Sequence, residues 1–330
     1  MTLRLINLPT DLQPLGQLIV ESIHYPENPD WSVQTDEKED LVAAIKRLRR
    51  VWPLIRLVQA FSPPLRDILR GYVWEEDDRI VGTTIVQRRG ATAVWAVGTV
   101  AVLPDYRRRG LARKMVTAGL DLIREHGGEK VILTVIDGNL PAYQLYERLG
   151  FEHYSGSTDF QTAPATVPPS PTLPQGYVQS PLSTFDWQPR YALEERISPE
   201  NMLKYEPIEV NRFRQPFMMR LLLPLIRFAQ STREKEFVLR TTADDKVVAR
   251  GGYSISTRGK GVNRIWARLD PAHPQLAPYL IGYALHQTVT QSPRLRVELS
   301  VPWWMKSLAS AAQEAGFERR VEYCRMGLEF

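Results

Sequence analysis

Cysteine is almost absent from this sequence. Its 330 residues include one cysteine, Cys324, which excludes a disulfide within the chain and a cysteine-based metal cluster. The five histidines do not fall at the spacings of metal ligands; they are His24, His126, His153, His273 and His286. The composition therefore predicts no metal cofactor, and it favours a reducing compartment, the cytoplasm.

Long apolar runs are absent as well. The longest, MMRLLLPLIRFA from Met218, is broken by Arg220, Pro224 and Arg227, and it is too short to cross a bilayer. The N-terminus lacks the basic segment, apolar stretch and small-residue cleavage site of a signal peptide. We therefore expect neither secretion nor membrane insertion.

Negative charge is in slight deficit, with a net charge of +5 and a pI near 9.2. A positive excess suits a phosphorylated cofactor, nucleic acid or an acidic surface equally well. Apolar residues make up 43% and charged residues 24% of the chain, the balance of a folded globular protein. The length allows roughly two domains, each with its own core.

Large apolar residues are scarce in residues 161–181, QTAPATVPPSPTLPQGYVQSP. This segment holds six prolines, so it favours extended backbone and cannot nucleate a helix or a central strand. We predict an interdomain linker here. It separates a first domain, residues 1–160, from a second domain, residues 182–330.

Apolar periodicity predicts one order of elements in both halves: three strands, a helix, a strand, a helix and a strand. Both halves share an acidic hairpin turn (DDRIVG and DDKVVA) and a Gly-Phe-Glu after the second helix. The pattern predicts a mixed α/β fold that is present twice through internal duplication. A basic amphipathic helix is predicted upstream, over Asp40–Phe61. Its basic face also suits a membrane or calmodulin-like target, but a helix packed on a sheet is the commoner arrangement.

The strongest motif is VAVLPDYRRRGLAR, residues 100–113, in which a strand ends at Pro104 and a helix begins after Gly110. Amide hydrogens at a helix N-terminus, arranged around a glycine, form a concave site for an anion such as pyrophosphate. Screening charge would come from Arg107, Arg108, Arg109 and Arg113. Taken alone, an arginine-rich turn is more often a solvated helix start.

Residues 100–113 resemble the central motif of the GNAT superfamily of acyl-CoA N-acyltransferases, Gln/Arg-x-x-Gly-x-Gly/Ala after a strand. Arg107, Gly110 and Ala112 meet it. Residues 139–151, NLPAYQLYERLGF, resemble the second motif, Asn-x-x-Ala-x-x-x-Tyr-x-x-x-Gly-Phe. The resemblance implies two tandem GNAT-like domains, each a mixed, mostly antiparallel sheet flanked by helices. It also implies acetyl-CoA, or another acyl-CoA, as cosubstrate, without a metal.

The resemblance assigns roles to single residues. Val100, Ala101 and Val102 would be splayed from the neighbouring strand, leaving backbone groups free for the pantetheine arm and for the oxyanion of the tetrahedral intermediate. The stretch at the pyrophosphate would consist of Arg107, Arg108, Arg109, Gly110, Leu111, Ala112 and Arg113.

Two residues of the second motif keep two interpretations each. Asn139 would lie near the pantetheine, and it also suits the N-cap of the helix that follows it. Tyr146 would be the general acid that protonates the departing thiolate. A tyrosine on the apolar face of a helix also suits the core.

Two departures from the family pattern limit these expectations. Strands Val94–Leu103 and Val131–Ile136 contain no carboxylate to deprotonate the acceptor amine; Asp137 and Glu75 are the nearest in sequence, and either also suits a solvated loop. In the second half the counterpart of the motif, Asp270–Pro278, lacks glycine and arginine and contains prolines that remove N–H donors. We expect the second copy not to bind coenzyme A.

The predicted function is acetyl or short acyl transfer from acyl-CoA to the primary amine of a small molecule or peptide, with Tyr146 as the catalytic residue. One alternative is a non-catalytic acyl-CoA sensor or scaffold, which the missing carboxylate favours. Another, a basic nucleic-acid binder, ranks last because no nucleic-acid motif is found. The sequence specifies neither the acceptor, which loops such as Glu27–Glu39 would shape, nor the oligomeric state.

Overall fold

The computed structural model describes residues 2–22, 28–32, 70–183, 185–214, 232–257, 259 and 261–330. The predicted helix Asp40–Phe61, the apolar run from Met218 and most of the Glu27–Glu39 loop lie outside the described residues. In the part of the chain that is described, no helix combines the length and apolar character needed to cross a bilayer.

The described residues form two compact units. The first comprises residues up to Tyr154 and Cys324–Phe330; the second comprises residues 155–214 and 232–323. The division therefore falls inside two strands, one near the middle of the chain and one at its C-terminus.

The first half contains, in chain order, β1 (Thr2–Leu5), α1 (Leu8–Ser22), a 3₁₀ turn (Pro29–Trp31), β2 (Arg70–Glu76), β3 (Arg79–Arg88), β4 (Val94–Val102), a 3₁₀ turn (Pro104–Tyr106), α2 (Leu111–Glu125), β5 (Lys130–Ile136), α3 (Leu140–Glu147) and β6 (Glu152–Thr162). The order predicted from periodicity is confirmed from β2 to β6.

The second half contains β7 (Tyr177–Leu182), α4 (Gln188–Ile197), α5 (Glu200–Leu203), α6 (Val210–Phe213), β8 (Thr232–Thr241), β9 (Val247–Ser256), β10 (Asn263–Leu269), a 3₁₀ turn (Pro274–Leu276), α7 (Ala277–Gln291), β11 (Val297–Pro302), α8 (Lys306–Glu314) and β12 (Glu318–Glu329). From β8 to β12 the predicted repeat of the first half is confirmed.

Each unit has a mixed sheet with the same plan. In the first, the order is β1-β2-β3-β4-β5, and residues 324–329 of β12 lie beside β5. Its pairs from β1 to β4 are antiparallel, and β4 and β5 are parallel. In the second, β7-β8-β9-β10 are antiparallel, β10 and β11 are parallel, and β6 follows β11. The predicted fold class is confirmed.

Helix α2 packs on the first sheet through one apolar stripe. Its buried residues recur every three or four positions, as an amphipathic helix requires; they are Leu111, Met115, Val116, Gly119, Leu120, Leu122 and Ile123. A Cβ at Gly119 would lie 3.0 Å from Cγ2 of Thr84 on β3. The glycine therefore allows close contact between helix and sheet, which fixes the position of the helix N-terminus.

Residues 163–176 of the proline-rich segment form neither helix nor strand. The predicted linker region also includes most of β7, which lies at the edge of the described sheet. An edge strand tolerates a proline such as Pro181, because one side of the strand needs no N–H donor. Within the second unit Pro171 lies against Gly282 of α7, and the Pro168 carbonyl is 2.8 Å from Nδ1 of His286.

Candidate functional site

The parallel strands β4 and β5 separate at their carboxyl ends. Their pairing runs from Val94↔Lys130 to Val97↔Leu133 and goes no further, although β4 continues to Val102 and β5 to Ile136. On its other side β4 stays paired with β3, with an irregularity that leaves Gly98 as the extra residue. A bulge bends the strand that carries it. Val100, Ala101 and Val102 therefore border an opening in the sheet.

The loop after β4 has an unusual backbone. Arg108 has φ 64° and Gly110 has φ 76°, both in the left-handed region, with Arg109 between them. Alternation of this kind turns successive N–H groups towards a common point and forms an anion-binding concavity. Helix α2 begins at the next residue, Leu111, so its positive dipole end faces the same point.

The amide hydrogens of residues 108–113 have no acceptor within the described chain. The first hydrogen bond of the helix is donated by Lys114 to the Gly110 carbonyl at 3.2 Å. A helix leaves its first amides unpaired, and here the preceding turn adds three more. A Cβ at Gly110 would meet no atom within 4 Å, so no other part of the described chain packs against the glycine.

The four arginines of the motif divide into two pairs. Arg107 donates from Nε to the Val102 carbonyl at 3.2 Å and from Nη2 to the Ser22 carbonyl at 2.8 Å. Arg109 donates to the Asp105 carbonyl at 3.1 Å and lies over the Tyr106 ring at 4.8 Å. These two side chains brace the loop and tie it to the end of α1. Exposed Arg108 and Arg113 have no such contacts in the described chain, which leaves their charge available to an anion.

The observed contacts of Asn139 and Tyr146 are those of an N-cap residue and of a core tyrosine. The Asn139 Oδ1 atom accepts a 3.4 Å hydrogen bond from the Ala142 amide, as an N-cap does. Tyr146 is buried, and its ring lies edge-on to Phe151 at 5.9 Å. Parallel neighbours end at the same edge of a sheet, so the loop after β4 and the residues after β5 share the open edge.

Part of the chain matches a family model. Residues 41–151 match the model described as the acetyltransferase (GNAT) family, and the match includes both motifs, the open edge and the loop of unpaired amides. Over these residues, about a third of its length, the chain is similar to the GNAT family.

Curated relatives match a part of the chain. N-alpha-acetyltransferase 30 of Schizosaccharomyces pombe is 33% identical over 86 residues, which are 25% of this chain and 57% of that protein. Mycothiol acetyltransferase of Corynebacterium glutamicum is 37% identical over 103 residues, 30% of this chain and 34% of that protein. The chain thus spans between about a third and somewhat over half of the length of these relatives.

Solved structures share the fold over nearly the whole chain. A tandem GNAT protein from the clavulanic acid biosynthesis pathway has a TM-score of 0.62 at 16% identity and covers 99% of this chain and 98% of its own. A GCN5-related N-acetyltransferase from Sphaerobacter thermophilus has a TM-score of 0.63 at 18% identity, with 99% and 95% covered. The similarity establishes a tandem GNAT fold.

The two carboxylates nearest in sequence to the opening between β4 and β5 differ in their surroundings. Glu75 accepts a 2.5 Å hydrogen bond from Arg4, which also pairs with Asp11. Burial alone raises the pKa of Asp11, but hydrogen bonds from Arg4 and from the Asn7 amide outweigh it and hold that pKa below its ordinary value. Asp137 is exposed at the end of β5. Glu75 is thus held in an ion-pair network, whereas Asp137 faces solvent at the open edge.

The described residues do not match the pattern of a metal site. Across the described residues, no group of three or more His, Cys, Asp or Glu side chains is arranged to hold a metal ion.

The sequence did not point to Glu76, which lies 4.0 Å from Nη1 of Arg109 and has one buried oxygen without a partner in the described chain. Its signal is weak, since it is one of three acidic residues in a hairpin turn.

In the second unit the corresponding strands also separate, but the loop that follows makes different contacts. Pairing of β10 with β11 stops at Ile265↔Leu299, while β10 continues to Leu269. In the loop that follows, the Asp270 carboxylate accepts from the Ala272 amide at 3.0 Å and from Arg196 at 2.7 Å. The Tyr177 hydroxyl is 2.8 Å from Nδ1 of His273. Since a carboxylate of the chain occupies a loop amide, these contacts argue against a phosphate there.

Asp270→Asn is expected to lower the free energy of unfolding by about 1–3 kcal/mol at pH 7, because a buried acceptor loses its charge beside Arg196. Burial alone raises the pKa of Asp270, but bonds from the Ala272 amide and Arg196 outweigh it and hold that pKa below its ordinary value. The contribution of the carboxylate is therefore present above about pH 4 and is lost as the pH falls through the folded-state pKa.

Urea denaturation of wild type and Asp270→Asn, from pH 7 to below about pH 4, checks the direction of this pH dependence. The difference in free energy should shrink below about pH 4. A difference that is absent at pH 7, or that stays constant with pH, would contradict the assigned role.

Proposed function

We propose that the chain is an N-acetyltransferase that transfers an acetyl or short acyl group from acyl-CoA to an amine. The observation that carries the proposal is the set of unpaired amides over residues 108–113, at the N-terminus of a 15-residue helix. A diphosphate would satisfy several of these donors at once, in the favourable field of the helix dipole.

The opening between β4 and β5 gives the rest of the cofactor a path. A pantetheine arm that leaves the diphosphate would lie along Val100–Val102, where pairing with β5 has ended. Such an arm hydrogen-bonds as a strand does, so the unpaired edge of β4 supplies matching groups. A backbone N–H in this stretch would also stabilise the developing oxyanion.

The reaction proposed is direct attack on the thioester. The ammonium loses a proton, and its nitrogen forms a bond to the acyl carbon. The C–S bond then breaks, the nitrogen loses a second proton, and the thiolate takes one up, so that amide, CoA thiol and one net proton result. Tyr146 is proposed as the donor to the thiolate. Transfer from a phenol with an ordinary pKa near 10 to a thiolate whose conjugate acid has a pKa near 8.5 is uphill by about 1.5 pKa units, so this role requires the hydroxyl to be held within hydrogen-bond reach of the sulfur as the C–S bond breaks.

The second unit is proposed not to bind the cofactor, because Asp270 and the Tyr177–His273 contact occupy its loop. The names of the relatives support acetyl transfer, and they differ in acceptor: one is an N-alpha-acetyltransferase and another a mycothiol acetyltransferase. The acceptor of this chain is therefore left at the level of an amine.

A non-catalytic acyl-CoA sensor is the second candidate, because β4 and β5 contain no carboxylate. Thiol release from acetyl-CoA, measured with α-amino peptides, amino sugars and polyamines, separates the two. Amine-dependent release at a rate above hydrolysis supports the transferase. Calorimetric binding of acetyl-CoA without release for any amine supports the sensor, and no binding contradicts both.

A further inference from the structure

One arginine side chain joins the end of a helix to the end of a strand in the first unit. Arg107 donates from Nη2 to the carbonyl of Ser22, the last residue of α1, at 2.8 Å. It donates from Nε to the carbonyl of Val102, the last residue of β4, at 3.2 Å. Because the guanidinium is planar and its donors have fixed directions, this side chain sets the distance between the two elements.

The Val102 carbonyl points into the opening beside β4. The Leu103 amide donates to the Val81 carbonyl at 3.0 Å, and Val102 lies opposite Gly82 in the next pair. Hydrogen-bonded and non-hydrogen-bonded pairs alternate between antiparallel strands, so the backbone groups of Val102 face away from β3. On that side the pairing with β5 has ended, and Arg107 supplies the donor that β5 does not.

The Ser22 carbonyl lies at the C-terminus of α1. Carbonyls in the last turn of a helix lack partners within the helix, and the helix dipole favours a cation beside them. Ser22 is buried, with 4% of its surface exposed, so an unpaired carbonyl there would cost free energy. Arg107 therefore stabilises the last turn of α1 as well as the end of β4.

The same arginine begins the turn that presents the unpaired amides. Its own amide donates to the Pro104 carbonyl at 3.1 Å, and Arg108, with its left-handed backbone, follows directly. The turn is thus anchored at its first residue through both backbone and side chain. A displacement of the end of α1 would move Arg107 and, with it, the amides of residues 108–113.

The second unit also has an arginine between a helix end and the loop after its third antiparallel strand. Arg196, in the last turn of α4, donates from Nε to Asp270 at 2.7 Å, and Asp270 accepts from the Ala272 amide. Here the arginine lies on the helix and its partner lies in the loop. Since this contact recurs where no diphosphate is proposed, it favours a role in holding the loop over a contact with phosphate.

We propose that Arg107 is a positioning residue that couples the end of α1 to the cofactor loop, so that the loop keeps its amides aimed at a diphosphate while the helix end is held. This inference rests on the proposed function, because acetyl-CoA is the ligand whose binding it controls. Coupling between two sites is reciprocal. Bound acetyl-CoA therefore slows the opening of the last turn of α1.

The test is hydrogen–deuterium exchange of residues 19–22 in the full chain, with and without saturating acetyl-CoA, alongside calorimetry. In wild type, acetyl-CoA should slow exchange in this turn by about fivefold, at the lower end of typical couplings. In Arg107→Gln the turn should exchange faster without ligand, acetyl-CoA should bind about tenfold more weakly, and binding should no longer slow the turn. Arg107→Lys keeps the charge but not the planar fork; it should lose the same response, and it serves if Arg107→Gln does not fold.

The matched control is Arg109→Gln. In the described chain Arg109 contacts the Asp105 carbonyl, the Tyr106 ring and Glu76, none of which is in α1. This variant should weaken acetyl-CoA and still show slower exchange of α1 at saturation. If Arg109→Gln loses the response as well, the effect comes from general loosening of the loop, and the role of Arg107 is overturned.

A direct contact between Arg107 and the diphosphate predicts a different pattern. Arg107→Gln would then make the acetyl-CoA Kd less dependent on salt, because an ionic contact is lost, and it would leave α1 unchanged; this result also overturns the positioning role. Acetyl-CoA that binds wild type without slowing exchange of α1 removes the positioning role alone. No calorimetric binding by wild type removes the proposed function, and the positioning role with it.

Discussion

Gly110→Ala is expected to weaken acetyl-CoA binding by about tenfold, a loss of about 1.4 kcal/mol. Alanine disfavours the left-handed backbone that Gly110 adopts at φ 76°. Relaxation out of that region would turn the neighbouring amides away from their common point, and the diphosphate would lose donors. Isothermal calorimetry with acetyl-CoA measures the change.

The matched control is Gly127→Ala. Gly127 has φ 71° and follows the other end of the same helix, and a Cβ there would also meet nothing within 4 Å. The two substitutions therefore impose the same kind of backbone strain and differ in their distance from the proposed diphosphate site. Equal acetyl-CoA affinity in both variants would contradict the role of the turn.

Tyr146→Phe is expected to lower kcat by about 10²–10⁴-fold while leaving the acetyl-CoA Kd unchanged. The substitution removes only the hydroxyl, so the edge-on contact with Phe151 is kept. The thiolate would then leave without a positioned proton donor. Thiol release, measured with the fastest amine of the panel, gives kcat, and thermal denaturation verifies the fold.

Tyr143→Phe is the control for this change. Tyr143 lies three residues earlier on α3, is less buried than Tyr146, and has its ring edge-on to His153 at 6.4 Å. The activity of the Tyr143→Phe variant should stay near that of wild type. If Tyr146→Phe keeps wild-type kcat, the hydroxyl is not the proton donor, and the tyrosine serves the core alone.

Local patterns predicted the elements that position the site. The apolar stripe of α2, the stop at Pro104 and the start of the helix after Gly110 are all encoded within a few residues. Each is a short-range preference of the backbone or of a helix face, which a sequence reveals directly. The order of strands and helices along the chain could be predicted for the same reason.

Other features depend on contacts between distant parts of the chain. Arg107 was expected beside the pyrophosphate, and its contacts with the Val102 and Ser22 carbonyls depend on where α1 ends. The approach of Trp31 to Gly138 likewise joins residues that are far apart in sequence. Such contacts leave no periodic signal in the chain.

Two elements of the first unit carry sequence signals that oppose their structure. Helix α1 contains Pro14 in its interior, and β1 is four residues long. A proline within a helix removes a hydrogen bond, and a short edge strand has too few residues to establish an alternating pattern. Tertiary packing stabilises both where local preference does not.

Hydrogen–deuterium exchange of the loop after β4 tests the central claim most directly. Saturating acetyl-CoA should protect the amides of residues 108–113, because the diphosphate becomes their acceptor. Pantetheine, which lacks the diphosphate, should not protect them, and the loop 270–278 of the second unit should be unaffected by either ligand. Unchanged exchange over residues 108–113 in the presence of bound acetyl-CoA would contradict the assignment of this turn as the cofactor site.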